Sequence, residues 1–123
     1  MKDFRGLRVW EKAHALTLSV YRASAAFPTE ERYGLTSQLR RAAASIAANI
    51  AEACGRSTDG DFQRFLTIAL GSAREVDYFL LLSRDLGILK DEIYQCAYGD
   101  VSEVQRMLSS LIRRVGSEGM KRS

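Results

Sequence analysis

Apolar residues recur along this chain at helical spacing, in four blocks parted by short polar or glycine-containing connections. In the first block Val9, Ala13, Leu16, Val20 and Phe27 share one stripe, flanked by Trp10 and Thr17, which predicts a helix over 7–26. A second stripe of Leu7, His14, Leu18, Tyr21 and Ala25 runs along its other side, set off by Glu11, Lys12 and Arg22. Phe27-Pro28 ends this helix, because the residue before a proline disfavours the α region. Thr29 can cap a new start, with Glu30 and Glu31 favourable in the first turn, and the second helix is expected over 30–55. Gly34 is its weak point and allows a short turn before a main helix from Thr36, while Gly55 stands where a C-terminal glycine should.

The second block contains the most informative stretch, Leu39 to Gly55, LRRAAASIAANIAEACG. Alanine loses no side-chain entropy on ordering, so the run is strongly helical. Leu39, Ala43, Ile46 and Ile50 form a core stripe, and the opposite side carries Arg41, Ala44, Ala48 and Ala51 rather than a Lys/Glu-rich back. Small side chains let another helix approach closely, so burial on two sides is expected; the alternative is one core face with an alanine-rich back in solvent.

Thr58-x-x-Asp61 is a capping-box-like start for a third helix over 60–86. Phe62, Phe65, Ile68, Ala69, Ser72, Val76 and Phe79 are expected as its core face, with Leu66, Leu70 and Leu81 on a second surface. Gly71, with Ser72 and Ala73, is a place where a close neighbour could sit, and Gly87 stops the helix. The fourth block, over 91–115, has one stripe (Ile93, Ala97, Val101, Val104, Leu108, Leu111, Ile112, Val115) and a polar back of Glu92, Glu103, Arg106, Ser110, Arg113 and Arg114. The pattern predicts an all-α fold, an antiparallel up-down-up-down four-helix bundle. Residues 1–116 form its single domain and 117–123 a mobile tail. Leu16, Ile46, Ile50, Phe65, Ile68, Val76, Phe79, Val104 and Leu108 are its expected core.

Composition narrows the function classes. No apolar run approaches the roughly 20 residues of a membrane span, and the first residues lack a signal peptide's apolar segment, so the expected location is cytoplasmic, with no membrane partner. Cys54 and Cys96 stand apart from each other and from any histidine and are expected as buried thiols, not metal ligands. His14 is the only histidine, and no motif implies a cofactor or a metal. GRSTDGD lacks the spacing and lysine of a phosphate loop. Adjacent Glu30 and Glu31 point about 100° apart on a helix and do not converge on one reacting group. Ser45 and Asn49 are expected to bond across helices, with no histidine to make a nucleophile of the serine.

Several segments, in order, carry a resemblance. They are FRGLRVWEKAHAL (Phe4 to Leu16), FPTEERYGLTSQLRRAAASIAANIAEACGR (Phe27 to Arg56), FLTIALGSARE (Phe65 to Glu75) and LGIL (Leu86 to Leu89). In these the chain resembles the four-helix-bundle proteins encoded in intervening sequences of bacterial 23S ribosomal RNA genes. The resemblance implies a four-helix bundle assembling as a ring-shaped homopentamer. It also implies kinship of fold with the accessory proteins of diversity-generating retroelements, which bind nucleic acid and a reverse transcriptase through a basic surface. It supplies no catalytic residues. One departure is Ala53-Cys54 before Gly55, where family members commonly have glycine directly after the IAE segment.

The basic residues are the one candidate functional feature. The formal net charge is only +3, but Lys2, Arg5, Arg8, Lys12 and Arg22 face only Asp3 and Glu11 within the first 28 residues. Arg8 and Lys12 share a helical side, and Arg40-Arg41 and Arg113-Arg114 are further pairs. Arg5, Arg8, Lys12, Arg22, Arg113 and Arg114 are therefore the candidate nucleic-acid contacts, to RNA or DNA backbone rather than bases, since aromatic residues do not interleave with them. The alternative is that they pair with surface acids such as Glu75, Asp77 and Glu103. The surplus apolar and small residues Leu7, Leu18, Tyr21, Ala44, Ala48, Ala51, Leu66 and Leu70 are the candidate homo-oligomer interface. Two functions follow: a non-enzymatic oligomer that binds structured RNA or another nucleic acid, or an adaptor for a protein partner such as a reverse-transcriptase-like protein. An enzyme is disfavoured, because no nucleophile, base and stabiliser assemble.

Overall fold

A computed structural model describes the backbone of residues 3–122 and the side chains of residues 3–117. Four helices follow in order: α1 (Arg8–Ser24), α2 (Leu35–Cys54), α3 (Asp59–Asp85) and α4 (Asp91–Arg122). Short 3-10 turns at Phe4–Gly6 and Thr29–Glu31 precede the first two. Each helix packs on its neighbours in the chain, and α1 closes the square against α4. The bundle is thus all-α, antiparallel and up-down-up-down, with no strand among the described residues.

The local signals act as their chemistry dictates. The Thr58 hydroxyl accepts the Asp61 amide at 3.1 Å and starts α3. Gly87, at φ 78°, lets the chain turn out of α3 while its own amide donates to the Arg84 carbonyl and that of Ile88 to Ser83. Gly34 delays α2 to Leu35, one residue before the expected start of the main helix, and the Glu31 carboxylate accepts the Leu35 amide at 3.1 Å.

The core is contiguous through all four helices. Val9, Ala13, Leu16 and Val20 of α1 and Leu39, Ala43, Ile46 and Ile50 of α2 are buried as the spacing predicts. Small residues of α2 permit the close approach: the Thr17 hydroxyl of α1 reaches the Ala43 carbonyl at 3.1 Å, which a larger residue there would obstruct. On the other side of α2 the Ser45 and Ser72 hydroxyls bond at 2.9 Å, and Asn49 donates to Ser45.

α3 is rotated from its expected face. Leu66, assigned to the second surface, is fully buried, and Ile68, assigned to the core, is 42% exposed. Phe65 and Phe79, also expected in the core, are half-buried and pack against its edge. Leu66, Ala69, Ser72, Ala73, Val76, Leu80 and Ser83 line the inward face. α3 has helices on both flanks, so its centre needs small residues for close approach, while the bulky phenylalanines fit at the edges. Gly71 faces open space rather than a close neighbour.

Other departures are local. Ile93, at the start of the expected apolar stripe, is 43% exposed, and Tyr94 is buried instead, with the Arg84 guanidinium 4.5 Å from its ring centre. Cys54 is buried as expected but Cys96 is exposed, and no disulfide joins them. α4 continues past the expected end at 115, through Gly116 and Gly119, to Arg122. The expected tail over 117–123 falls almost wholly on side chains outside the described residues, as does Lys2.

Candidate nucleic-acid interface

Antiparallel packing of α1 against α4 brings the start of α1 beside the stretch of α4 from Arg106 to Arg114. Arg8, Arg106 and Arg114 line a groove of about 430 Å3 there, floored by Leu7, Val9, Met107 and Leu111. On the other flank of α4 a second groove, also about 430 Å3, is lined by Arg74 of α3 with Arg106, Arg113, Ser102, Gln105 and Ser109 of α4. Arg106 stands between the two and belongs to both. Among the described residues none of Arg8, Arg74, Arg106, Arg113 and Arg114 makes an ion pair. Among the described residues no carboxylate lines either groove.

On one flank the Asp77 carboxylate accepts from Gln105 of the second groove at 3.2 Å, and on the other an acid registers the field of the arginines. Glu103 takes the Lys12 ammonium at 3.0 Å. That hydrogen bond, then the Lys12 charge, with Arg8 and Arg106 farther off, holds its carboxyl below the ordinary glutamate value against a small opposing desolvation. A depressed carboxyl contributes stability above its unfolded-state pKa, and that contribution is lost as pH falls through the lower folded-state value. Both groups are wet, so the effect on stability is small.

The candidate residues divide accordingly. Arg8, Arg113 and Arg114 come together with Arg106 and Arg74, neither of which was a sequence candidate. Lys12 borders them but is engaged by Glu103. Arg5 is bound to Asp3 at 3.4 Å and lies over the Phe4 ring. Arg22 sits about 21 Å along α1 from Arg8, at the other end of the bundle. Arg40 is not paired with an acid; it donates to the Ser24 hydroxyl at 2.7 Å and the Tyr21 carbonyl at 3.2 Å. The signal for Arg106 was present as its heptad spacing to Arg113, but the placing of Arg74 needs the α3–α4 pairing.

Of the oligomer candidates, Leu18 and Tyr21 are 41% and 45% exposed, and Ala48 is exposed. Ala44 and Ala51 are half-buried; Leu7 and Leu70 are half-buried against the core. Leu66 leaves the set, since its burial inside the chain gives it nothing to offer a neighbour. His14 is exposed and stacks on Trp10 with ring centres 4.9 Å apart. Among the described residues no group of three His, Cys, Asp or Glu gathers as for a metal, and no helix is long and apolar enough to cross a membrane.

Fold and surface together define a small antiparallel four-helix bundle whose distinctive exposed feature is a band of unpaired arginines. Residues 5–110 match the family described as 23S rRNA-intervening sequence protein, and the chain belongs to that family. Among solved structures it is similar to a protein with unknown function from the S23 ribosomal protein family of Bacteroides thetaiotaomicron VPI-5482. The two share 28% identity over 85% of this chain and 97% of that one, with a TM-score of 0.77. No curated protein matches.

Proposed function

We propose that this protein is a non-enzymatic, homo-oligomeric helical bundle that binds structured RNA, or another nucleic acid, through a basic surface repeated on each subunit. The observation that carries the reading is the convergence of Arg8, Arg74, Arg106, Arg113 and Arg114 from three helices, with no carboxylate among the described residues lining the grooves between them. Guanidiniums held without partners are ready to take phosphate oxygens and to release the counterions of a nucleic-acid backbone. Contacts of this kind read backbone rather than sequence. Repetition around a ring raises the avidity of a modest local field.

Glu103 lies in the field of Arg8 and Arg106, so Glu103→Gln removes a repulsion and releases Lys12. The expected result is tighter binding of a labelled RNA hairpin in a low-salt anisotropy titration, by about two- to fivefold, the size of one exposed charge contact. Unchanged or weaker binding places the RNA away from this face.

Assembly through the back of α2 and the exposed side of α1 goes with the same reading, and the number five rests on the family resemblance. Ala48 is exposed within one chain, yet it carries the small side chain that close helix approach requires. Ala48→Glu keeps the helix, because glutamate is a good helix former, and is expected to lower the mass seen by light scattering. A monomeric parent at tens of micromolar contradicts assembly. An oligomer unaffected by Ala48→Glu removes α2 from the interface.

A further inference from the structure

The seam between α1 and α4 that holds Arg8 and Arg114 at one end of the bundle opens again at the other, in a cavity of about 360 Å3. Small residues meet there: Ser19 and Ala23 line it from α1, and Cys96 and Ala97 from α4. Phe27 and Leu89 contribute from the connections that follow α1 and α3, and Leu39 of α2 and Leu80 of α3 back it. Facing small side chains leave a void wherever the helices do not close on each other, and apolar walls without partner atoms forfeit dispersion contacts. Ile93 belongs to the same wall, so its 43% exposure is to this opening rather than to a plain outer surface.

Charge is the second feature. Glu92, Cys96 and Asp100 follow one another at four-residue spacing along one edge of α4, so the two carboxylates bracket the opening about 12 Å apart along the helix axis. Among the described residues neither acid makes an ion pair, and no Lys or Arg lines the cavity. In a chain of net charge +3 this end of the seam is therefore locally negative, the reverse of the arginine-lined end. Cavities of this size hold small ligands when they are chiefly apolar with a few placed polar groups. At roughly 30 Å3 for a water-sized group there is room for about twelve non-hydrogen atoms.

We propose that this cavity binds a small organic cation, an apolar body of about ten carbon atoms that carries an ammonium group. The body lies against Ala23, Phe27, Leu89, Ile93 and Ala97, and the ammonium meets Glu92 or Asp100 at the mouth. Burial of the body supplies affinity, and the carboxylates select the sign of the charge. The proposal does not depend on RNA binding by the arginine band, which lies at the other end of α1.

The probe is naphthylmethylamine, which has the required size and charge. Naphthylmethanol keeps the size without the charge, and naphthoate reverses the charge. By calorimetry at neutral pH the amine should bind the parent about fivefold more tightly than the alcohol, the size of one exposed charge contact, and naphthoate should bind more weakly than either. In Glu92→Gln/Asp100→Asn the amine should fall to the affinity of the alcohol, while the alcohol binds as it does to the parent. Cys96 reports the place of binding, because its thiol is exposed in the cavity wall whereas Cys54 is buried. Saturating amine should slow alkylation of Cys96 by N-ethylmaleimide several-fold. No binding of amine or alcohol at millimolar concentration overturns the proposal. So do equal affinities of the two in the parent, or a preference for the amine that survives the double substitution. Binding that leaves the alkylation rate of Cys96 unchanged places the probe elsewhere and overturns it as well. Both substituted acids are exposed, so the fold should be kept. If the double variant fails to fold, the ranking of the three probes and the protection of Cys96 in the parent still decide.

Discussion

Leu66→Ala lowers the unfolding free energy by about 2–5 kcal/mol, whereas Ile68→Ala, two residues on in the same helix, costs about 0.5 kcal/mol or less. Leu66 is fully enclosed, so truncation loses the transfer free energy of its side chain and leaves a cavity in a core that α2 and α4 hold on either side of α3 and that cannot fully collapse. Ile68 is 42% exposed, and alanine's better helix propensity offsets part of what its removal forfeits. Urea denaturation with an unchanged m-value is the measurement. The reverse order, with Ile68→Ala the costlier change, would show that α3 presents the face its hydrophobic pattern predicted.

Arg106→Glu combined with Arg113→Glu is expected to weaken RNA binding by at least about a hundredfold at low salt while leaving the fold intact. Each reversal removes about two units of positive charge from the band, turning attraction for phosphate into repulsion. Arg106 borders both grooves, so its reversal acts on the α1 and α3 flanks of α4 together. Both arginines are exposed and make no ion pair among the described residues, and glutamate suits a helix, so circular dichroism and thermal midpoint should be close to those of the parent. Arg22→Glu, a single reversal at the other end of α1, is the control with little expected effect.

Sequence periodicity sufficed wherever one stripe dominated. The alanine run of α2 placed Leu39, Ala43, Ile46 and Ile50 inward, and Thr58, Gly55 and Gly87 marked helix ends by chemistry local to a few residues. On α3 it placed Ala69, Ser72 and Val76 inward correctly but put the phenylalanines in the core ahead of Leu66, Ala73 and Ser83, because bulky residues outweigh small ones on any hydrophobicity scale, although small residues are what the crowded centre of the bundle requires. α4 likewise buries Tyr94 rather than Ile93, with the ring packed beneath Arg84 from the end of α3. The arginine band was half legible. Arg8, Arg113 and Arg114 stood out as basic clusters, but Arg106 and Arg74 acquire meaning only when α1, α3 and α4 are side by side. Engagement of Lys12 by Glu103, 91 positions away, is equally a product of pairing.

Salt dependence of RNA binding tests the central reading most directly. Anisotropy of a labelled RNA hairpin, titrated with the parent and with Arg106→Glu/Arg113→Glu between about 50 and 200 mM salt, gives the slope of log K against log salt. Engagement of four or five arginines per subunit predicts a parent slope of about −3 to −4, falling in magnitude by about 1 to 2 in the double variant. Absence of binding at the lowest salt, or a slope near zero that the substitutions do not change, would contradict nucleic-acid recognition by this surface and favour a protein-binding adaptor in its place.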